Sequence, residues 1–285
     1  MEFKSAKELL TLCKEHDMPI SAVMRTRECT LGETDEAGVD ARMARAWDIM
    51  RTSAHEPLTT PLRSMGGLIG GESRKLNEHC AASRSILGPV LARATAYAMA
   101  VLEVNASMGL IVAAPTAGSA GVVPGVLLAL QEERGFSDET MIRTLFNAGA
   151  VGYLAMRNAT VAGAVGGCQA EVGVAAAMAA SAAVELLDGT PEQCLDAATA
   201  VLMNMLGLVC DPVGGLVEYP CQNRNAAGAA NALVAAELAL SGVRQHIPFD
   251  KMLETMYAVG RRMPAELRET ALGGCAACGV CTISS

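Results

Sequence analysis

The amino-acid sequence predicts an all-α protein, and three observations support this class. Of the 285 residues, 51% are hydrophobic but only 3% are aromatic, so the apolar side chains are mainly those of Ala, Val, Leu and Met. β-Sandwiches, by contrast, are usually rich in β-branched and aromatic residues. No run alternates polar and apolar residues with the period of two that indicates a half-buried strand. With only 18% charged residues, the composition also excludes an intrinsically disordered chain.

Capping signals and helical periodicity locate the individual helices. The sequence Ser5-Ala-Lys-Glu8 has the pattern of a capping box and predicts a helix that ends at about His16. Apolar residues recur at helical spacing between Asp35 and Ala54. Further helices are predicted from Pro89 to about Ser107, from Pro124, from Ser137 to Met156, from Thr190 to about Leu206, from Asn225 to Leu240, and after Pro248 and Pro264.

Four Gly-rich segments interrupt these helices, and a fifth glycine cluster lies inside a helical stretch. The four segments are residues 64–71, 115–121, 207–225 and the tail from 273, and the fifth cluster is 163–173. A glycine inside a helix costs about 1 kcal/mol relative to Ala. Such clusters therefore indicate a close backbone approach or an unusual turn. For any one segment alone, tight packing between helices is an equally good explanation.

Charge and cysteine content restrict the possible functions. The net charge is −8 and no basic block occurs, so nucleic-acid binding is not expected. The polar start does not resemble a signal peptide, and charged or amide side chains interrupt the two most apolar stretches, so no membrane span is expected. These features predict a cytoplasmic, reducing location. There, ten cysteines indicate metal binding or catalysis rather than disulfides.

Three cysteines, Cys168, Cys210 and Cys221, each lie beside Gly or Pro on a predicted irregular turn. Such turns let thiolates converge, whereas a regular helix would hold them apart. Three protein ligands and one open position are typical of a catalytic metal centre. A free cysteine is often only a small buried hydrophobic residue, and spacing alone does not decide between the two interpretations. A role as small buried hydrophobic residues is favoured for the cysteines on predicted helices, which are Cys13, Cys29, Cys80 and Cys194.

Longer motifs around these cysteines resemble the iron–sulfur-dependent bacterial L-serine dehydratases, specifically their α-chain domain. The matching stretches are residues 103–108, 114–124, 158–173, 210–221 and 269–274. The resemblance extends from about residue 3 to 274. It implies a helical catalytic domain over residues 1–274, followed by a Cys-rich tail over residues 275–285. It also implies that Cys168, Cys210 and Cys221 hold a [4Fe–4S] cluster whose fourth iron is open to substrate.

The resemblance implies that L-serine is converted to pyruvate and ammonia without pyridoxal phosphate. In this family the open iron acts as a Lewis acid on the serine hydroxyl while a base removes the Cα proton. No residue of this chain is assigned as that base. Two alternatives stay open: a cysteine desulfidase-like C–S lyase, and a non-catalytic iron–sulfur sensor or helical subunit. The Gly-rich turns argue against the second alternative.

Several polar groups are candidates for binding the substrate. Ser64 and the glycines after it offer a hydroxyl and backbone N–H groups, and Thr116 and Ser119 offer hydroxyls from the second Gly-rich segment. The Arg224 guanidinium is a candidate to bind the substrate carboxylate in bidentate fashion, with a further hydrogen bond from the Asn158 amide. The hydroxyl groups could instead cap turns, and the guanidinium could instead form a salt bridge. The candidates are Ser64, Gly66, Gly67, Thr116, Ser119, Asn158 and Arg224.

The resemblance also implies a partner. Family members occur either as one chain with an N-terminal β domain or as separate α and β chains, and this sequence begins directly at the α-type segment. The β domain carries a Ser-His-Thr-type motif, and no Ser-His or His-Thr pair occurs here. We therefore expect a heteromer, in which the catalytic base can lie on a separate β chain.

The C-terminal tail departs from the family pattern. Cys275, Cys278 and Cys281 follow a Cys-x₂-Cys-x₂-Cys spacing that resembles part of a ferredoxin motif, which needs a fourth, more distant cysteine. A mobile Gly-rich terminus is the ordinary alternative. In family members a cysteine near the chain end can ligate the open iron at rest. We therefore expect the tail to fold into the cleft, with Cys281 reaching the iron.

Overall fold

The computed structural model describes residues 1–279 and confirms the all-α class. Twelve helices form over this part of the chain, which contains no β-strand. They are α1 (Ala6–His16), α2 (Ile20–Leu31), α3 (Glu36–Thr59), α4 (Glu72–Ala81), α5 (Pro89–Ala106), α6 (Val122–Arg134), α7 (Asp138–Asn158), α8 (Gly163–Gly166), α9 (Val174–Leu186), α10 (Pro191–Asn204), α11 (Cys221–Leu240) and α12 (Phe249–Arg262). Short 3₁₀ turns form at Ala117–Ser119, Val213–Gly215, Ala265–Leu267 and Gly274–Ala277, and a π-helical turn forms at Gln169–Gly173.

Helix α9 lies at the centre of the core. Every residue of this helix except Glu185 is buried, and α9 packs against α6, α7, α10 and α11. A helix that is apolar on all sides is expected to be enclosed by other helices, and the Ala-rich sequence allows these neighbours to approach closely. The central helix begins directly after the π-helical turn, so the core fixes the position of the Cys168 segment.

Glycines bring α5 and α6 into backbone contact. A Cβ atom added to Gly121, which immediately precedes α6, would lie 2.1 Å from the carbonyl oxygen of Ala98 on α5. One added to Gly125 would lie 2.7 Å from the carbonyl oxygen of Ala94. Larger side chains cannot occupy these positions without separating the helices. Close helix packing is therefore the reason for part of the glycine content.

The predicted helix caps are confirmed. Ser5 Oγ accepts a hydrogen bond from the Glu8 N–H at 3.1 Å, and α1 ends at His16 as expected. Thr190 and Gln193 form a reciprocal capping box at the start of α10. Ser137 caps α7 by accepting a hydrogen bond from the Thr140 N–H at 3.2 Å. These signals are local, so they are readable from the sequence alone.

Several helix limits differ from the prediction, and α7, for example, ends at Asn158 rather than at Met156. α3 continues through Pro57 to Thr59. α6 begins two residues before Pro124, which therefore lies in the first turn, where N–H groups have no helical partners. Pro264 opens only the 3₁₀ turn Ala265–Leu267. α11 begins at Cys221 rather than at Asn225, and the Asn225 side chain bonds the 115–121 segment from within this helix. No helix in residues 1–279 is long and apolar enough to cross a membrane.

Candidate metal centre

Cys168 lies at the junction between the glycine cluster and the central helix. Gly167 precedes it with φ +74°, a left-handed conformation that favours glycine. A Cβ atom at Gly167 would also lie 2.8 Å from the carbonyl oxygen of Leu208, so the chain must pass very close to the 207–220 segment here. The Gln169 N–H donates to the same Leu208 oxygen at 3.0 Å. The Cys168 thiol is 3% exposed.

Cys210 and Cys221 lie at the two ends of one segment. The main chain of Cys210 pairs with the segment after α12, since its N–H donates to the Leu267 carbonyl at 2.9 Å and its carbonyl accepts from the Glu269 N–H at 2.6 Å. Cys221 is the first residue of α11. The expectation that all three cysteines lie on irregular turns was therefore wrong for Cys221, which occupies a helix start.

The three thiols share one buried region. Burial raises the pKa of Cys168 and of Cys221 to about 12, and the Cys168 thiol further raises the pKa of Cys221. Burial also raises the pKa of Cys210, on which Glu171 and the other two thiols act in the same direction. A metal centre would reverse this preference, because coordinated thiols are deprotonated.

Arg224 is the cation of this region. Its Nη2 atom lies 2.7 Å from Asp211 Oδ1, and its Nη1–H donates to the Val209 carbonyl at 2.8 Å. Burial and, to a smaller extent, the Glu171 charge raise the pKa of Cys168, and the Arg224 charge and hydrogen bond lower it. The salt-bridge interpretation of Arg224 is thus confirmed. Its binding of a substrate carboxylate stays a prediction.

A carboxylate that the sequence analysis did not select, Glu171, lies beside Cys210. The Cys210 thiol donates to Glu171 Oε2 at 3.6 Å, and the Thr116 hydroxyl donates to Glu171 Oε1 at 2.9 Å. Burial raises the pKa of Glu171, while the bond from Thr116 lowers it. Within residues 1–279, Glu171, Cys210 and Glu269 are the one group of three metal-ligand side chains whose ligand atoms lie within 4.8 Å of one another. The sequence feature that could have identified Glu171 as a residue of this site is its position three residues after Cys168.

Thr116 and Ser119 take part in a capping box on the 3₁₀ turn Ala117–Ser119. The Ser119 hydroxyl is fully buried and lies 3.1 Å from the Thr116 hydroxyl. The structure thus uses both side chains to shape the turn, as the capping alternative predicted. Thr116 also reaches the cysteine region through Glu171. Their contact with a substrate stays a prediction.

The residues expected to offer donors in the first Gly-rich segment surround an internal carboxylate, that of Glu218. The Ser64 hydroxyl donates to Glu218 Oε2 at 2.7 Å, and the Gly66 N–H donates to Glu218 Oε1 at 2.6 Å. Gly67 is exposed, with φ +69°, and its N–H donates to the Ser64 carbonyl at 3.2 Å. Direct binding of a substrate by Ser64 or Gly66 would require displacement of Glu218.

Asn158 does not join the cysteine region through its side chain. It is the exposed last residue of α7, and its amide donates to the Lys4 carbonyl at 2.8 Å. This bond ties the N-terminal segment to α7. A role of Asn158 in substrate binding stays a prediction.

The first residues of the tail contact the segment that carries Cys210. The Cys275 N–H donates to Asp211 Oδ2 at 2.7 Å. Gly274 has φ +60°, and a Cβ atom there would lie 2.2 Å from Asp211 Oδ2. Burial alone would raise the pKa of Asp211, but the Cys275 N–H and Arg224 together lower it. Cys281, the tail residue predicted to reach the iron, lies outside the described residues.

Comparison with known proteins identifies the family. A model described as serine dehydratase alpha chain matches residues 15–276. The chain is 47% identical over 275 residues to the probable L-serine dehydratase alpha chain of Bacillus subtilis (strain 168), with 96% of this chain and 91% of the relative covered. It is 43% identical over 272 residues to the L-serine dehydratase alpha chain of Peptoniphilus asaccharolyticus, with 95% and 93% covered. It is 37% identical over 286 residues to L-serine dehydratase TdcG of Escherichia coli (strain K12), with 98% of this chain and 63% of that relative covered. The chain therefore belongs to the serine dehydratase alpha chain family, as its motifs led us to expect.

Proposed function

We propose that the chain deaminates L-serine to pyruvate and ammonia as the α chain of an iron–sulfur, pyridoxal-phosphate-independent L-serine dehydratase. The relatives named L-serine dehydratase support the substrate and the reaction. The observation that carries the proposal is that Cys168, Cys210 and Cys221 come from separate chain segments into one buried region. Three cysteine side chains from separate segments in one buried region are the ligand set that a catalytic metal centre with one open position requires.

The residues fit a [4Fe–4S] cluster by their chemistry. Thiolates are the usual ligands of such clusters, and three of them leave one iron free for the substrate. Arg224, beside Cys168, offsets part of the negative charge that three thiolates bring. A cluster held there supplies Lewis-acid assistance for departure of the serine hydroxyl.

The chain's own residues shape the site around the cysteines. Glu171 fixes the 115–121 turn through Thr116, and Glu218 fixes the Ser64 loop. Arg224 is held by Asp211 and by the Val209 carbonyl, so its charge has a defined place. These bonds orient the Gly-rich turns, and burial of the thiols excludes water from the region.

We also propose a separate β chain as partner, on which the base can lie. The relatives from Bacillus and Peptoniphilus are named alpha chains, and the E. coli relative has additional length beyond the match. Met65, Met108 and Leu110 are 67%, 76% and 68% exposed. The Met65 N–H bonds the Ala106 carbonyl, so the Ser64 loop lies beside the chain segment that leads to Met108 and Leu110. An apolar surface of this kind favours a covered interface. Copurification of a β chain tests this proposal, and full activity of the isolated chain contradicts it.

For the tail, we propose that residues 275–285 form a unit distinct from the 1–274 domain and that Cys281 ligates the open iron at rest. The contact of Gly274 and Cys275 with Asp211, next to Cys210, supports a path toward the cysteine region. Deleting residues 275–285 is expected to leave one cluster per chain and to lower its resistance to oxygen. Loss of about four irons per chain would indicate a second cluster, and no effect would leave a mobile tail.

Anaerobic purification with iron, sulfide and activity assays tests the main proposal. Changing Cys168, Cys210 or Cys221 to Ala is expected to abolish the brown colour, the iron and the activity. Cys13→Ala is the matched control, because Cys13 is equally buried but lies on α1. A colourless and fully active protein, or loss of activity on removal of pyridoxal phosphate, overturns the proposal. Parallel assays with L-serine, L-threonine and L-cysteine decide the substrate, and faster turnover of cysteine indicates a C–S lyase.

A further inference from the structure

Glu218 is a buried carboxylate held mainly by one loop. It is 2% exposed and lies in the segment between Cys210 and Cys221. Its Oε2 atom accepts hydrogen bonds from the Ser64 hydroxyl at 2.7 Å and the Leu68 N–H at 3.0 Å, and its Oε1 atom accepts from the Gly66 N–H at 2.6 Å. A buried carboxylate costs free energy unless such donors satisfy it, so the three bonds define where this side chain and the loop must lie.

The loop itself is closed around Ser64. The Ser64 N–H donates to the Ile69 carbonyl at 3.3 Å, and the Ile69 N–H donates back to the Ser64 hydroxyl at 3.3 Å. The Gly67 N–H completes the turn by donating to the Ser64 carbonyl. Glu218 therefore receives donors that the loop has already aligned. Loss of this carboxylate would leave two main-chain N–H groups without an acceptor.

Glu218 belongs to a short stretch that contacts two Gly-rich turns. A Cβ atom added to Gly66 would lie 2.5 Å from Leu216 and 2.9 Å from Glu218 Oε1, so Leu216 and Glu218 both face the Ser64 loop. The intervening Val217 faces the other turn, because a Cβ atom on Gly118 would lie 3.5 Å from it. The stretch 216–218 thus lies between the two turns.

We propose that Glu218 is a positioning residue, which sets the place of the 64–69 loop relative to the segment that carries Cys210 and Cys221. The loop is held by the same stretch of chain that supplies two of the cysteines, so its position follows that of the cysteine region. This inference rests on the proposed function only in that the positioned loop serves the deamination of serine. Glu218 acts through Ser64 and the loop N–H groups.

Hydrogen exchange of residues 63–71, measured by mass spectrometry, tests the positioning without any cofactor. Glu218→Gln keeps the shape of the side chain but replaces one accepting oxygen with an NH₂ group, so at least one loop N–H faces another donor. Exchange of this peptide is expected to accelerate by about tenfold or more, since hydrogen bonds to charged groups are among the stronger ones. Ser64→Ala, which removes one donor to Glu218 and the acceptor of the Ile69 N–H, is the second variant and is expected to accelerate exchange of the same peptide.

Glu185→Gln is the matched control. Glu185 is also a largely buried carboxylate that accepts a main-chain N–H, from Ser21 at 3.2 Å, and an amide bond from Asn147 at 2.7 Å. It lies near the far end of α9 from the π-helical turn. This control is expected to change the free energy of unfolding of the protein without changing hydrogen exchange of residues 63–71. Equal acceleration in both variants would mean general destabilisation and would overturn the proposal.

Kinetics of the iron-loaded protein give the second readout. Glu218→Gln is expected to lower kcat/KM for L-serine by about tenfold or more at unchanged iron per chain, whereas Glu185→Gln leaves kcat/KM unchanged. Unchanged exchange or unchanged kcat/KM in Glu218→Gln overturns the proposal. If the unmodified protein does not deaminate serine, the proposed function fails, and the exchange comparison alone decides the role of Glu218.

Discussion

Replacing Gly260 by Ala tests whether the Cys168 turn depends on direct backbone contact. Gly260 lies on α12, where a Cβ atom would be 2.6 Å from the Cα atom and 2.9 Å from the carbonyl oxygen of Gly166. Real Cβ atoms essentially never approach other heavy atoms within 3.0 Å. Because the facing atoms belong to the backbone, α12 or the Gly163–Gly166 helix must move by several tenths of an ångström.

A comparison with a second helical glycine, Gly149, gives the expected change in the free energy of unfolding for Gly260→Ala. Ala is favoured over Gly inside a helix by about 1 kcal/mol, whereas overpacking a core costs about 1–3 kcal/mol. Gly149 on α7 has only Met24 Cε near its added Cβ, at 4.0 Å, so Gly149→Ala gains the helix preference without a clash. We expect Gly149→Ala to stabilise by up to about 1 kcal/mol and Gly260→Ala to destabilise by about 1 kcal/mol.

Thermal unfolding of the two variants is the assay. A difference of about 2 kcal/mol in the free energy of unfolding corresponds to roughly 3 °C in Tm for a chain of this size. Gly260→Ala is also expected to hold less iron per chain, because Gly166 precedes Cys168 by only two residues. If Gly260→Ala unfolds at the same temperature as Gly149→Ala and binds a full complement of iron, the reasoning is refuted.

Two further predictions concern buried polar groups. Asn225→Ala removes the amide that accepts from the Gly121 N–H at 3.1 Å and donates to the Gly118 carbonyl at 2.8 Å, and we expect a loss of about 1–3 kcal/mol in unfolding experiments. For Glu185, burial raises the pKa in the folded state, so its contribution to stability is present at low pH and is lost as the pH rises through that raised value. Glu185→Gln is therefore expected to reduce the decline in stability between pH 4.5 and neutrality, and an unchanged pH profile would contradict this.

Helices with local signals could be predicted from the sequence, whereas the start of α11 could not. The caps at Ser5 and Thr190 bond residues three positions away, so the sequence contains both partners side by side. Asn225 bonds Gly121, 104 residues earlier, and this distant partner decides its role. A residue type that caps helices locally thus became a link between segments, which no local pattern reveals.

In the candidate site, too, some residues could be selected from the sequence and others could not. Cys168, Cys210 and Cys221 were selected from their Gly and Pro neighbours and from a family resemblance, and all three are buried in one region. Glu171 and Glu218 were missed, since an acidic residue in a sequence is usually assigned to the solvent-exposed surface. Their burial depends on partners 55 and about 150 residues away.

Buried carboxylates and glycines occur in pairs around this site. The Glu218 carboxylate meets Gly66, whose added Cβ would lie 2.9 Å from Oε1, and the Asp211 carboxylate meets Gly274, whose added Cβ would lie 2.2 Å from Oδ2. In both pairs a main-chain N–H donates to the carboxylate, from Gly66 itself and from Cys275, the residue after Gly274. A side chain on either glycine would occupy the space through which the carboxylate approaches.

Glu171 follows a related pattern. A Cβ atom on Gly163 would lie 2.4 Å from its Oε2 atom and 3.1 Å from Cys210 Sγ, while Thr116 satisfies Oε1. Main-chain and hydroxyl donors thus satisfy acids that would otherwise need cations. Among the contacts of these carboxylates in residues 1–279, Arg224, which is partly buried, supplies the positive charge. The glycine content of these turns therefore follows largely from the need to bring backbone up to buried acids and thiols. Close helix packing accounts for other glycines, among them Gly121 and Gly125 against α5 and Gly260 against α8.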